Sequence, residues 1–89
     1  MPITESEFYA GRQDAELAAL SFLKQNRTLG YTAEDIMVEL GNQGIFYSIV
    51  DYEVGLENLV AREMAESRVI DGAIYYKYFF VVGFRGPRS

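Results

Sequence analysis

A chain of 89 residues is enough for one small domain, and an apolar fraction of 49% that includes seven tyrosines and six phenylalanines can form one hydrophobic core. The chain has no cysteine, which excludes disulfides and a thiolate zinc site, and no histidine, which removes the usual general base and nitrogen metal ligand. No pattern of nucleophile, base or phosphate-binding glycines is present, so we expect neither an enzyme nor a cofactor. The net charge of −5 opposes sequence-independent attraction to phosphates.

The chain divides into three parts by its pattern. We expect an N-terminal arm over residues 1–13, one domain over 14–80 and a tail over 81–89. The arm lacks the basic and apolar regions of a secretory signal. The longest apolar stretch, Ala73 to Phe84, is interrupted by Lys77 and is too short for a membrane-spanning helix. These features predict a cytoplasmic protein without a membrane partner.

Helical periodicity begins at Asp14 and fades near Asn26, before Gly30. The residues expected on its buried face are Ala15, Ala19, Phe22 and Leu23. A short strand is predicted around residues 29–31, ahead of a second helix.

The second helix is predicted from its start signal. Thr32 is a good N-cap and Asp35 stands where a capping box places its acid. Gly41 is expected just past the helix end, in the left-handed conformation. The spacing of Ala33, Ile36, Met37 and Leu40 indicates one buried face.

A third helix is predicted from a cap at Ser48 to about Arg62, with Asp51 at its third position. Gly55 lies inside this helix and is expected to lower its stability. Two strands follow, Met64 to Ile70 and Ala73 to Phe80, joined by Asp71-Gly72, a dipeptide typical of a two-residue hairpin turn. The predicted class is α+β, with three helices and a small antiparallel sheet.

This order of elements, and the segment YEVGLENLVAREMAESRVIDGAIYYKY over Tyr52–Tyr78 above all, resembles the winged helix-turn-helix family. The resemblance implies a three-helix winged-helix domain whose wing hairpin spans about Met64–Phe80. One departure is Glu63, which stands where the family usually has glycine between the third helix and the wing.

By resemblance, the leading functional hypothesis is a small transcription-associated regulator that binds duplex DNA as a dimer. The third helix would enter the major groove and basic side chains would hold phosphates. The residues predicted to contact DNA are Ser48, Asn58, Arg62, Arg68, Lys77, Arg85 and Arg88.

The charge distribution favours an alternative, a winged-helix module that binds protein and not DNA. Between Asp51 and Glu66 there are five acids against one arginine, so the third helix would repel phosphates. The long aromatic C-terminal strand is also a candidate surface for a homodimer. The residues predicted for protein interaction are Asp51, Glu53, Glu57, Tyr76, Phe80, Val82 and Phe84.

Overall fold

The computed structural model describes residue 2 and residues 5–79, and within the second range it describes side chains from Asp14 onward. This part of the chain has the predicted α+β class, in an arrangement consistent with a winged-helix-like fold. Its elements are α1 (Glu5–Gln25), β1 (Tyr31–Thr32), α2 (Ala33–Asn42), α3 (Ile49–Ala61), β2 (Ala65–Ile70) and β3 (Ala73–Tyr78).

Helix α1 begins at Glu5, earlier than the predicted start at Asp14. The apolar periodicity that predicted this helix begins only at Asp14, so it carried no signal for the first turns. Those turns also include Gly11, and a glycine inside a helix costs about 1 kcal/mol relative to alanine.

The N-terminal caps of α2 and α3 are confirmed. The backbone amide of Asp35 donates to Thr32 Oγ1 at 3.1 Å, and the Thr32 amide donates back to Asp35 Oδ2 at 3.2 Å. The Asp51 amide donates to Ser48 Oγ at 3.1 Å, so Ser48 caps α3.

The end of α2 lies later than predicted, because the left-handed residue is Gly44 (φ 86°) and not Gly41. The amide of Gly44 donates to the carbonyl of Gly41 at 3.0 Å, and the amide of Ile45 donates to that of Leu40 at 2.9 Å. This pattern is a Schellman motif with Gly44 as its left-handed residue.

Helix α3 ends in the same motif, with Glu63 (φ 60°) in the left-handed position. The amide of Glu63 donates to the carbonyl of Val60 at 3.0 Å, and the amide of Met64 donates to that of Leu59 at 2.8 Å. The departure from glycine noted in the sequence therefore falls at a position where the backbone favours glycine.

The sheet is antiparallel with strand order β1-β3-β2, so β3 is the middle strand. Asp71 (φ 53°) and Gly72 (φ 81°) both have positive φ, as the predicted hairpin turn requires. Strand β1 covers Tyr31–Thr32 rather than 29–31, and β3 ends at Tyr78 rather than Phe80.

The core lies where the three helices meet the inner face of β3. Helix α1 makes its main contact with α3, and Tyr76 of β3 closes the core with 3% exposure. The largest fully buried side chains are Leu23, Ile36, Tyr52, Leu56 and Leu59. The exposed face of α3 and the wing hairpin β2–β3 therefore stand side by side on this core.

Candidate interaction surface between the third helix and the wing

A groove separates α3 from the wing and from the start of α2. We call it the α3–wing groove. It is lined by Thr32, Ala33, Glu34, Glu53, Ala73, Ile74 and Tyr76. The two charged residues of this lining, Glu34 and Glu53, both carry carboxylates.

The helix side of this groove is acidic. Val50, Glu53 and Glu57 follow at helical spacing on one exposed face of α3. The Tyr76 hydroxyl donates to Glu57 Oε2 at 2.5 Å. Burial raises the pKa of Tyr76 well above its ordinary value, and the hydrogen bond to Glu57 and the negative charges of Glu57 and Glu53 raise it further. Tyr76 thus remains a neutral donor that holds the Glu57 carboxylate in place.

The wing side of the groove is apolar at its tip. Val69 and Ile74 are Cα partners across the hairpin and alternate with residues of the outer face, so they share the face of Tyr76. Val69 is 66% exposed and Ile74 is 45% exposed. The surface beside α3 therefore combines acidic side chains, of which Glu57 is held by Tyr76, with an exposed apolar edge.

Two predicted DNA contacts, one in the last turn of α3 and one at its C-cap, are engaged inside the molecule. Asn58 Nδ2 donates to Glu16 Oε1 at 3.3 Å, and the Arg62 guanidinium forms an ion pair with Glu16 Oε2. Glu16 also lies over Gly55, where an added Cβ would come within 2.8 Å of the Glu16 Cα. One α1 residue therefore joins three positions at or near α3.

The other described basic candidates lie on the opposite face of the sheet. Arg68 pairs with Tyr75, Lys77 pairs with Glu66, and these residues alternate with Tyr76. Lys77 Nζ lies 3.7 Å from Glu66 Oε2 and donates to the Tyr78 carbonyl at 3.4 Å. Arg68 and Lys77 are brought together, but away from the exposed face of α3 and from Arg62.

The remaining predicted positions have different outcomes. Ser48 is exposed but its hydroxyl accepts the capping bond, and Asp51 lies in the first turn of α3. The predicted residues Phe80, Val82, Phe84, Arg85 and Arg88 lie outside the described residues.

The sequence interpretation missed Glu16, Glu34 and Ile74. Gly55 carried a signal for Glu16, because an isolated glycine inside a helix often has a packing reason, such as the close approach of another backbone. No local pattern identified Glu34 or Ile74, since they meet only when the hairpin packs beside α2 and α3.

Comparison of the chain with protein-family models, curated proteins and solved structures found no match. Among the described residues, no helix is both long and apolar enough to cross a bilayer. Within the same part of the chain, no three acidic side chains come together in a way that could hold a metal ion.

Proposed function

We propose that this protein is a winged-helix-like interaction module that binds a basic, partly apolar segment of another protein along the α3–wing groove and the acidic face of α3 beside it. The observation that carries the proposal is the Glu57 carboxylate held by the buried Tyr76 hydroxyl at 2.5 Å, with Glu53 beside it on α3. A carboxylate fixed in this way is ready to accept a charge-assisted hydrogen bond from lysine or arginine.

The apolar wing tip supports a segment with hydrophobic side chains as well as positive charge. Exposed apolar residues beside a polar groove are typical of protein interaction sites. A partner that placed an aliphatic side chain against Ile74 and a basic one near Glu53 would satisfy both halves of the surface.

The DNA-binding hypothesis receives less support from the same geometry. The α3 face that would approach the major groove carries Glu53 and Glu57, which repel phosphates. Arg62 and Asn58 would have to leave Glu16 before they could contact DNA. Arg68 and Lys77 lie on the other face of the wing.

The test uses a labelled helical peptide that carries lysine and leucine on one face, with a glutamine-for-lysine peptide as its control. Fluorescence anisotropy at low salt should give saturable binding of the first peptide only. Glu53→Lys should weaken binding at least tenfold, because it reverses a charge in the groove. Glu39→Lys makes the same charge change at an exposed position near the far end of α2 and should leave binding unchanged.

The same titration with random-sequence duplex DNA separates the two hypotheses. The proposal expects no saturable DNA binding, even at low salt. Saturable binding that falls steeply as salt rises and that Arg68→Ala weakens would support a DNA-binding regulator instead.

A further inference from the structure

Strand β2 forms a free edge of the sheet. It pairs with β3 along Ala65–Ile70, and no strand of the described chain lies on its other side. Apart from Ala65, its residues are exposed, and Val69 is 66% exposed. A six-residue edge of this kind presents unpaired backbone donors and acceptors to another strand.

The hairpin geometry determines which backbone groups point outward. Ile70 and Ala73 flank the two-residue turn, so they form a hydrogen-bonded pair, and this type of pair recurs at Arg68 and Glu66. The amides and carbonyls of Ala65, Ser67 and Val69 therefore face the free edge.

The side chains of β2 are complementary to those of a second, antiparallel β2. When Ser67 of one copy lies opposite Ser67 of the other, Glu66 of each copy lies opposite Arg68 of the other. These positions are of the non-hydrogen-bonded type, in which Cα atoms approach to about 4.5 Å and side chains come closest. Moving the register by two residues in either direction would place Glu66 opposite Glu66, or Arg68 opposite Arg68, and like charges in these positions destabilise pairing.

The proposed register also extends a cross-strand pair of opposite charges that is already present on the outer face of one copy. Lys77 Nζ lies 3.7 Å from Glu66 Oε2 on the outer face. In the paired sheet, Glu66 would lie between Lys77 of its own chain and Arg68 of the second copy. On the inner face, the exposed Val69 would lie opposite Ala65 of the second copy.

We propose that two copies of this protein associate by antiparallel pairing of their β2 strands around a two-fold axis at Ser67. The six strands then form one continuous sheet, and both copies keep their α3–wing grooves. This inference does not depend on what the grooves bind. It also places the homodimer contact on β2, whereas the sequence suggested the C-terminal strand, which is the middle strand over residues 73–78.

Mass measurement tests the proposal. Sedimentation equilibrium from micromolar to millimolar protein should show a species of twice the 10.1 kDa chain mass. Arg68→Glu should raise the dissociation constant at least tenfold, because a carboxylate at position 68 would face Glu66 of the second copy in place of each ion pair. Lys24→Glu makes a comparable charge reversal on α1 and should leave the dimer unchanged.

Mixing two variants tests the register itself. Glu66→Lys alone should also lose the dimer, because a lysine at position 66 would face Arg68 of the second copy. An equimolar mixture of the Arg68→Glu and Glu66→Lys chains should form a heterodimer, since the contacts between the two substituted positions again join opposite charges. Circular dichroism of each variant verifies that it is folded.

Ser67→Pro tests the backbone contact. It removes an amide that faces the free edge and is tolerated where a strand's amide faces solvent, so the folded chain should become monomeric. The proposal is overturned if the wild-type chain remains at 10.1 kDa throughout the concentration range. A dimer that survives Arg68→Glu or Ser67→Pro, or a mixture that fails to pair, overturns it as well.

Discussion

Glu63 and Gly44 occupy the same position in two helix ends, and only one of them is suited to it. Both have positive φ, 60° for Glu63 and 86° for Gly44, and both donate to a carbonyl of the last helical turn. A residue with a Cβ atom in this conformation costs roughly 1 kcal/mol relative to glycine. The end of α3 is therefore less stable than the same motif would be with glycine in the left-handed position.

We expect Glu63→Gly to raise the free energy of unfolding by about 1 kcal/mol, because it removes this backbone strain. Urea denaturation monitored by circular dichroism measures the change. Glu63→Asn, which tolerates the left-handed region, should give part of the gain. Gly44→Ala should act in the opposite sense, and a gain in that variant would contradict the argument.

Because of Tyr76, the stability of the protein is expected to fall at alkaline pH. The pKa of its hydroxyl is raised in the folded state by burial and by the bond to Glu57. The unfolded chain releases this proton near the ordinary tyrosine pKa of about 10, while the folded chain retains it. The stabilising contribution of the Tyr76 hydroxyl is therefore fully present below a pH of about 10 and is lost as the pH rises further.

We expect Tyr76→Phe to lower the free energy of unfolding by about 1–3 kcal/mol at neutral pH, because the Glu57 carboxylate loses the hydrogen bond that it accepts from the Tyr76 hydroxyl. The same variant should lose less stability than the wild type when the pH rises above about 10. Urea midpoints across this range measure both effects. Tyr75→Phe, on the outer face of the same strand, is the control for removal of a hydroxyl, and equal slopes for Tyr76→Phe and wild type would refute the assignment.

At the scale of elements, α1 and α3 approach closely because Gly55 has no side chain. A Cβ at this position would lie 2.8 Å from Glu16 Cα and 3.0 Å from Glu16 Cβ. The close approach also brings the Glu16 carboxylate to Asn58 and Arg62. Glycine at this site therefore favours helix packing although it lowers helix propensity.

We expect Gly55→Ala to destabilise the protein by about 1 kcal/mol, because an overpacking cost of about 2 kcal/mol exceeds the gain of about 1 kcal/mol in helix propensity. Thermal unfolding measures the loss. Glu53→Ala adds no backbone contact at an exposed position of the same helix and should be close to neutral. If Gly55→Ala raised the melting temperature, the close approach of α1 and α3 would not require glycine at position 55.

At the scale of the whole molecule, the features predicted from sequence were those encoded by neighbouring residues. Thr32 with Asp35, Ser48, and Asp71-Gly72 determine two helix starts and one turn through contacts within three residues or less. The acidic face of α3 was likewise visible in the spacing of Glu53 and Glu57.

Features that depend on packing between distant segments were not predictable in this way. The bond between Tyr76 and Glu57 requires the hairpin to dock on α3 in one register. The role of Glu16 requires α1 to lie over Gly55. The helix end at Gly44 rather than Gly41 was also missed, because Gly41 remains helical. A Cβ atom added at Gly41 would lie 3.7 Å from a ring carbon of Phe46.

The central position of β3 has a consequence for the order in which the fold forms during synthesis. A ribosome synthesises β1 and β2 before β3, the strand that pairs with both of them. Tyr31 of β1 can therefore pair with Tyr76 of β3 only after most of the domain has been synthesised. Until residues 73–78 leave the exit tunnel, the nascent helices lack the side chain that closes their core and both outer strands have no neighbour. The native sheet of a growing chain therefore forms only after the middle strand has become available.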